Sequence, residues 1–438
     1  MDVPPDGGYG WVVVGAIFWN NAHHWGLVSS YGVFLAYFLS HSHFTEATSL
    51  DYAFIGGLSA SQALLMAPFA SVINRRYGLK VAMSLGVLLE TAALLGASFS
   101  TKIWQLYLSQ GVCFGWGLGL QYVSTIPIIP QWFAKRRSLA AGLAAAGSGT
   151  GGLIYSLGVN AMLTRFGYGW TYRILAIVQC VVNGVCLMII RDRNKMTGTK
   201  TFNLKFADVV KRPELWLFWG WSFLSVMGFM VIWYSLSDFA RSLGLTSHQG
   251  SIVAAIMNLG TIIGRSGTGY VSDILGRMNT ASFATFVTGV LCLVLWTLAR
   301  SYAATLCFAF FGGLVFGTFW MAVAPLATEV VGLRYLPSCL TITWVICVIP
   351  ATFGEAIGLK LRTQGDREYL HVQLFTGFMY IGASICVFFL RMWKLSTNEN
   401  MTSQPTSTVA DSKDAAITSV EECREGSSIK TWIKVTKV

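Results

Sequence analysis

The sequence predicts an all-α membrane protein with twelve transmembrane helices in two six-helix halves, and three observations lead there. Hydrophobic residues make up 54% of the 438 and charged residues only 12%, with a mean hydropathy of +0.56; soluble chains average about 25% charged. Apolar stretches near twenty residues recur along the chain, the length that crosses a hydrocarbon slab of ~30 Å. Cations gather in alternate loops between these stretches, which is the charge pattern of a membrane protein. The net charge of +11 does not form a basic stripe interleaved with aromatics on a soluble face, so a nucleic-acid partner is excluded.

The twelve spans fall at about 11–38, 52–73, 80–99, 104–130, 139–161, 171–190, 214–237, 249–272, 280–299, 303–327, 337–358 and 372–392. Arg75, Arg76 and Lys80, then Lys135, Arg136 and Arg137, then Arg191, Arg193, Lys195, Lys200, Lys205, Lys211 and Arg212 lie on one side. The opposite loops are thinly basic. By the positive-inside bias the basic side is cytosolic, with both termini on it, and the expected location is the plasma membrane. No basic region precedes the first span, so it reads as a retained helix and not a cleaved signal. The expected divisions are 1–190, an N-terminal six-helix half; 191–213, a cytosolic linker; 214–395, a C-terminal six-helix half; and 396–438, a Ser/Thr-rich disordered tail. The tail's sequon, Asn400-Met401-Thr402, would not meet the glycosylation machinery from the cytosol. Nine cysteines, mostly within spans, have no metal-ligand spacing, so no metal or cofactor is expected.

Two internal matches point to repeated halves. Gly269-x-x-x-Asp273-x-x-Gly276-Arg277 has a degenerate counterpart about 200 residues earlier, Ser71-x-x-x-Arg75-Arg76-x-Gly78-x-Lys80. Gly111-x-x-x-Gly115 and Gly313-x-x-x-Gly317 are separated similarly. Two parallel six-helix halves joined by a linker is the architecture of the major facilitator superfamily.

The passage WFAKRRSLAAGLAAAGSG, from Trp132 to Gly149, marks one side of the membrane. Its three adjacent cations would each cost about 2.5–3.5 kcal/mol at a helix centre, so they must sit in a turn. The alanines and glycines that follow let helix backbones approach closely in lipid. The run Gly147-Ser148-Gly149-Thr150-Gly151-Gly152 lacks the following Lys-Ser/Thr of a phosphate-binding loop and lies inside a span, which favours packing or a hinge. Pro127, Pro130 and Pro350 interrupt spans, as in helices that bend beside a cavity.

Intramembrane polar residues nominate the working site. The first span carries Trp19-Asn20-Asn21-Ala22-His23-His24-Trp25, and Asn20 and His24 share a helical face. Asn20, Asn21 and His24 are candidate substrate contacts; a polar clamp to a neighbouring helix is the alternative. His23 and His24 are candidates for proton coupling, as is Glu90, mid-span in the third helix, where a charge is expensive. Arg265, in IIGRSGTG, lies about 12 Å of helix above Asp273 and offers a bidentate grip on a carboxylate. Its alternative is an internal ion pair with Glu90, Asp238 or Glu355. Arg75, Arg76 and Gly78 in one half, with Asp273, Gly276 and Arg277 in the other, form turns expected to gate the carrier through contacts between halves. No catalytic constellation argues for an enzyme.

Two of these passages resemble the signatures of the monocarboxylate transporters, a family within the major facilitator superfamily. Asp6-Gly7-Gly8-Tyr9-Gly10-Trp11 matches the acidic-Gly-Gly-aromatic-Gly-Trp entrance signature. Trp132 through Gly147 matches the second, including Lys135, Arg136, Arg137, Gly142 and Gly147, with Trp132 where tyrosine is usual. Trp25-Gly26 and Ser30-Tyr31-Gly32-Val33-Phe34 look like the fungal branch. The resemblance implies alternating-access carriage of a small organic anion, with a proton as candidate co-substrate, by a protein whose partners are that small molecule and the lipid bilayer; no motif specifies an accessory protein. Two positions depart from the animal lactate carriers: Ser29 stands where they have lysine and Thr261 where they have aspartate. Fungal relatives include presumed exporters, so efflux of a secondary metabolite through a pocket of Trp19, Trp25, Trp233, Phe319 and Trp320 is the rival expectation. A non-transporting nutrient receptor is a third, disfavoured by a tail of only about forty residues.

Overall fold

The computed structural model describes residues 4–41, 44, 48–193, 212–363, 365 and 367–402. The described residues form helices and no strand. Helix α1 is Tyr9–His41. Helix α2 runs through Ser49–Leu65 and, after a 42° bend, Ala67–Tyr77. Helix α3 is Leu79–Ser98, and α4 is the span Ile103–Trp132, wound as a π-helix over Tyr107–Cys113. The stretch Arg137–Ile189 breaks at Gly167 (φ 73°, ψ 175°) into α5, 137–166, and α6, 168–189.

In the second half α7 is Pro213–Ser242, α8 Ser247–Leu275, and α9 Arg277–Val290 extended by Leu291–Trp296. Tyr302–Phe316 continues from Thr318 as α10 up to residue 331. A break at Gly332 (φ 72°, ψ 170°) opens α11, 333–361, and α12 is Leu370–Thr402. At 1.5 Å per residue, the 53-residue and 60-residue stretches that contain these glycine breaks would be about 80 and 90 Å long if straight, enough for two crossings each.

Among the described residues, seven continuous stretches, or eight with the bent pair, are long and apolar enough to span a membrane. Helices α1 and α8 are not among them. They carry Asn20, Asn21, His23 and His24, and Asn258 and Arg265, and the architecture puts both against the centre of the molecule.

The repeated turn has the same shape in both halves. Gly78 between α2 and α3 and Gly276 between α8 and α9 hold φ of 89° and 98°, a region open to glycine and closed to most side chains. The alanine–glycine run makes α5 a wedge between α1 and α8. A Cβ on Gly147 would lie 2.0 Å from the Phe18 carbonyl oxygen, and one on Gly142 would lie 2.2 Å from that of Arg265. Close packing across the halves is thus written into α5. Helix α2 packs against the α10–α11 stretch as a further contact between halves.

The linker cations Lys195, Lys200, Lys205 and Lys211, and the tail beyond Thr402, lie outside the described residues. Ser396, expected to begin that tail, is still helical. Its hydroxyl and that of Thr397 donate to the Trp393 carbonyl at 2.8 and 2.9 Å, which satisfies both side chains within α12.

Candidate functional site

A central cavity opens among α1, α4, α5, α7, α8 and α10, with about 850 Å³ of space between its walls, counting the part that continues outside. Its lining on α1 extends from Ile17 to Ser29, about 18 Å along the axis. Trp25, Tyr122, Phe229, Trp233 and Trp320 supply aromatic wall. Trp25 meets Tyr122 and Trp320 at ring separations of 5.3 and 5.4 Å, and Trp320 meets Phe229 at 5.6 Å. Of the expected pocket aromatics, Trp19 is instead 46% exposed on the outer surface, and Phe319 packs behind the wall on Trp221. Tyr122, Phe229 and Tyr234, which also lines the cavity, are the unforeseen members.

Arg265 is the one charged residue among those lining the cavity. Its Nη1 donates to the Ala145 carbonyl at 2.8 Å and to the Ser148 hydroxyl, both on α5, while its Nε has no partner. Gly317 of α10 makes room for it, since a Cβ there would stand 2.4 Å from Nε. None of the three carboxylates weighed as an ion-pair partner is seen to engage it. Glu90 is bound by amides, Asp238 pairs with Arg362 at 2.7 Å, and the Glu355 side chain lies outside the described residues. A buried cation held only by neutral acceptors keeps a large uncompensated electrostatic cost, and an arriving carboxylate would offset it.

The polar residues of α1 divide. Asn21 lines the cavity and donates to the Ala144 carbonyl at 2.9 Å, with its Oδ1 unpartnered. Asn20 and His24 do not line it and are fully buried. Asn20 Nδ2 donates to Gln121 Oε1 at 2.8 Å, and Asn20 Oδ1 faces His24 Nε2 at 3.1 Å. For these two the helix clamp is the arrangement present. His23 Nδ1 meets the Trp19 carbonyl at 2.8 Å and its ring packs edge-on to Tyr155. Ser29 is on the wall with its hydroxyl given to the Trp25 carbonyl, and Thr261 is buried with its own given to Met257.

On the basic face, segment 134–139 at the start of α5 is held by two carboxylates, one from each half. Asp6, at φ 53°, accepts the N–H groups of Ala134, Lys135 and Arg136 at 2.8, 2.7 and 3.3 Å. Asp273 accepts those of Ser138 and Leu139 at 3.0 and 2.8 Å. Helix-start amides are donors without helical partners and carry partial positive charge, which suits both acids. Arg277 adds bonds to the Ala134 carbonyl at 2.6 Å, the Ser138 hydroxyl at 3.2 Å and Glu329 at 3.0 Å, and Lys394 pairs with Glu329 at 3.4 Å. Glu329 and Lys394 were not singled out from the sequence.

The two family-like signatures therefore meet. Trp11 packs on Phe133 at 4.7 Å, Gly10 leaves no room for a Cβ beside the same ring, and Tyr9 donates to the Ile189 carbonyl at 2.7 Å. Lys135 and Arg136 are exposed, but Arg137 is buried and donates to the Phe133 carbonyl at 3.0 Å. The first-half turn is not matched to its partner. Arg75 Nε reaches the Ser71 carbonyl of its own helix at 3.3 Å, whereas Asp273 and Arg277 cross between halves.

Comparison with known proteins accords with this architecture. Residues 17–354 match the Major Facilitator Superfamily. The chain belongs to that superfamily. It is 35% identical over 402 residues to the probable transporter MCH2 of Saccharomyces cerevisiae, a match that covers 90% of this chain and 85% of the relative. It is 32% identical over 423 residues to the uncharacterized transporter ESBP6 of the same yeast, covering 92% of this chain and 63% of that protein. The fujikurins efflux protein of Gibberella fujikuroi is 28% identical over 391 residues, covering 89% and 84%. As a major facilitator protein it is a multi-pass membrane transporter, whose task is to move a small molecule and not to transform it.

Proposed function

We propose that this transporter carries an organic monoanion with an apolar body by alternating access, gripping the anionic group with Arg265. The observation that supports this most is a single buried cation, with no carboxylate partner among the described residues, on an otherwise aromatic and aliphatic wall. An apolar wall favours a ligand with an apolar body, and the lining extends well beyond the reach of a three-carbon acid. The signatures at Asp6–Trp11 and Trp132–Gly147 support membership of the monocarboxylate transporter branch. The basic face is then cytosolic, with both termini on it, in the plasma membrane. The gate is the Asp273–Gly276–Arg277 turn closing on α5. Because Ser29 and Thr261 carry no charge, a proton moving with the anion must bind elsewhere, with His23, His24 and Glu90 as the candidates.

Export of a secondary metabolite is the second reading, supported by the six wall aromatics and by a relative named as an efflux protein. In this reading Arg265 is structural, so the two differ in direction and in whether Arg265 grips an acid. The test is ligand-induced thermal stabilisation of purified protein by matched pairs, 2-naphthoate against 2-naphthamide and acetate against acetamide. Stabilisation by 2-naphthoate well beyond its amide and beyond acetate is expected. Equal stabilisation by acid and amide would reject the anion grip.

A further inference from the structure

Away from the cavity, Glu90 sits in the middle of α3, fully buried. Three side-chain amides converge on one of its oxygens. Gln121 of α4 donates to Oε2 at 2.7 Å, Asn183 of α6 at 3.5 Å, and Gln179 of α6 donates to the same atom. The other oxygen, Oε1, has no partner, and neither has Asn183 Oδ1 in the same cluster. Among the described residues no lysine or arginine forms an ion pair with Glu90.

The pocket is purpose-shaped. A Cβ on Gly117 would come 2.7 Å from Glu90 Cγ, and one on Gly86 would come 2.6 Å from Gln121 Cγ, so glycines leave the room this pair occupies. The α5–α6 stretch, α4 and the second segment of α2 pack against α3, and their mid-helix titratable side chains include Cys113 and Tyr122 of α4, Tyr155 of α5 and Cys180 and Cys186 of α6, while His24 of α1 is joined through Asn20 and Gln121. The cations at the ends of these helices are engaged elsewhere, Lys80 with the Leu187 and Met188 carbonyls and Arg173 with the Ser98 hydroxyl.

Two buried acceptors without a donor, beside a carboxyl group without a counter-ion, share one remedy. A hydrogen on Oε1 makes that atom a donor, gives Asn183 Oδ1 its missing bond and removes the charge. We propose that Glu90, Asn183 and Gln121 form a proton-binding site, occupied in the state described, with the Oε1–H donated to Asn183 Oδ1. On release the O–H bond breaks, its electron pair stays on Oε1, and the proton passes to water admitted as the helices part. The carboxylate that remains keeps the three amide donors.

The site is tied to the transport path through side chains. Gln121 Oε1 accepts from Asn20, whose Oδ1 meets His24 Nε2. His24 Nδ1 accepts the Trp25 N–H at 2.8 Å, which puts the ring hydrogen on Nε2 and leaves His24 neutral. Asn21 and Trp25, on either side of this chain in α1, are cavity wall. A charge left on Glu90 is therefore felt along Gln121, Asn20 and the α1 segment that lines the cavity.

Infrared difference spectroscopy of the full-length protein in lipid nanodiscs tests the site without any transported substrate, so its outcome is independent of the anion reading. The wild-type minus Glu90→Gln spectrum at neutral pH should show a carboxylic-acid carbonyl band that shifts down in D2O. Asn183→Leu, which leaves Glu90 in place, should move that band to higher frequency by removing its hydrogen-bond acceptor. A difference confined to the ionised carboxylate stretches, or a band unmoved by Asn183→Leu, would overturn the proposal.

Discussion

Asp273→Ala removes two of the bonds by which the second half holds the start of α5, leaving those of Arg277. The carboxylate accepts two backbone N–H groups across the halves, Ser138 at 3.0 Å and Leu139 at 2.8 Å, and lies 3.6 Å from Arg277. Hydrogen bonds to a charged group contribute ~1.5–3 kcal/mol each, so the gross loss is roughly 3–6 kcal/mol. Both side chains are about a tenth exposed, so water that enters on opening replaces part of this, and the lower figure is the safer basis. At about 1.4 kcal/mol per tenfold, 3 kcal/mol moves the closed-to-open ratio by roughly a hundredfold. The assay is the rate at which an impermeant maleimide labels Ala141→Cys, on the cavity wall near the gate, in a chain whose native cysteines have been replaced. Asp273→Ala should speed labelling at least about tenfold, because the open fraction governs access. Labelling within about twofold of the parent would refute the gate, and so would an equal effect of Arg75→Ala, whose guanidinium bonds its own helix.

Two further substitutions probe the parts around that gate and cavity. Gly317→Ala places a methyl group 2.4 Å from Arg265 Nε, so it should weaken 2-naphthoate binding at least about tenfold by displacing the guanidinium, read by titration of the purified variant; unchanged affinity would show that Arg265 does not depend on this space. Asp6→Ala frees three amides at the start of α5 and should lower stability by about 2–4 kcal/mol. Hydrogen exchange at Ala134, Lys135 and Arg136 should rise in that variant, and unchanged protection there would contradict the clamp.

Much of this architecture was legible because its signals are local. An arginine or glutamate inside a span is costly wherever the helix points, so Arg265 and Glu90 stood out from sequence alone. The small residues of α5 announced close packing before its neighbours were known, and the repeated Asp273–Gly276–Arg277 turn pointed to the pair of matching glycine turns at Gly78 and Gly276. Facing was not legible. Adjacent residues point about 100° apart around a helix, and of Asn20 and Asn21 the cavity takes Asn21, a choice that nothing local announces. Partners distant in the chain were equally hidden: Glu329 pairs with Arg277 from 52 residues away, and Lys394 with Glu329 from 65. Gln121, Gln179 and Asn183 left a signal that went unused, since each is a polar amide in mid-span, subject to the reasoning that flagged Asn20.

The central claim is that Arg265 grips the anionic group of the transported molecule, and the matched acid and amide separate that claim from general stickiness of an aromatic cavity. The decisive measurement is the affinity of 2-naphthoate and 2-naphthamide for the wild type and for Arg265→Lys, which keeps the charge and removes the guanidinium fork. The account predicts a wild-type preference for the acid of at least about tenfold, or ~1.4 kcal/mol, largely lost in Arg265→Lys while amide binding stays the same. A preference for the acid that survives Arg265→Lys undiminished, or that is absent from the wild type, would contradict it.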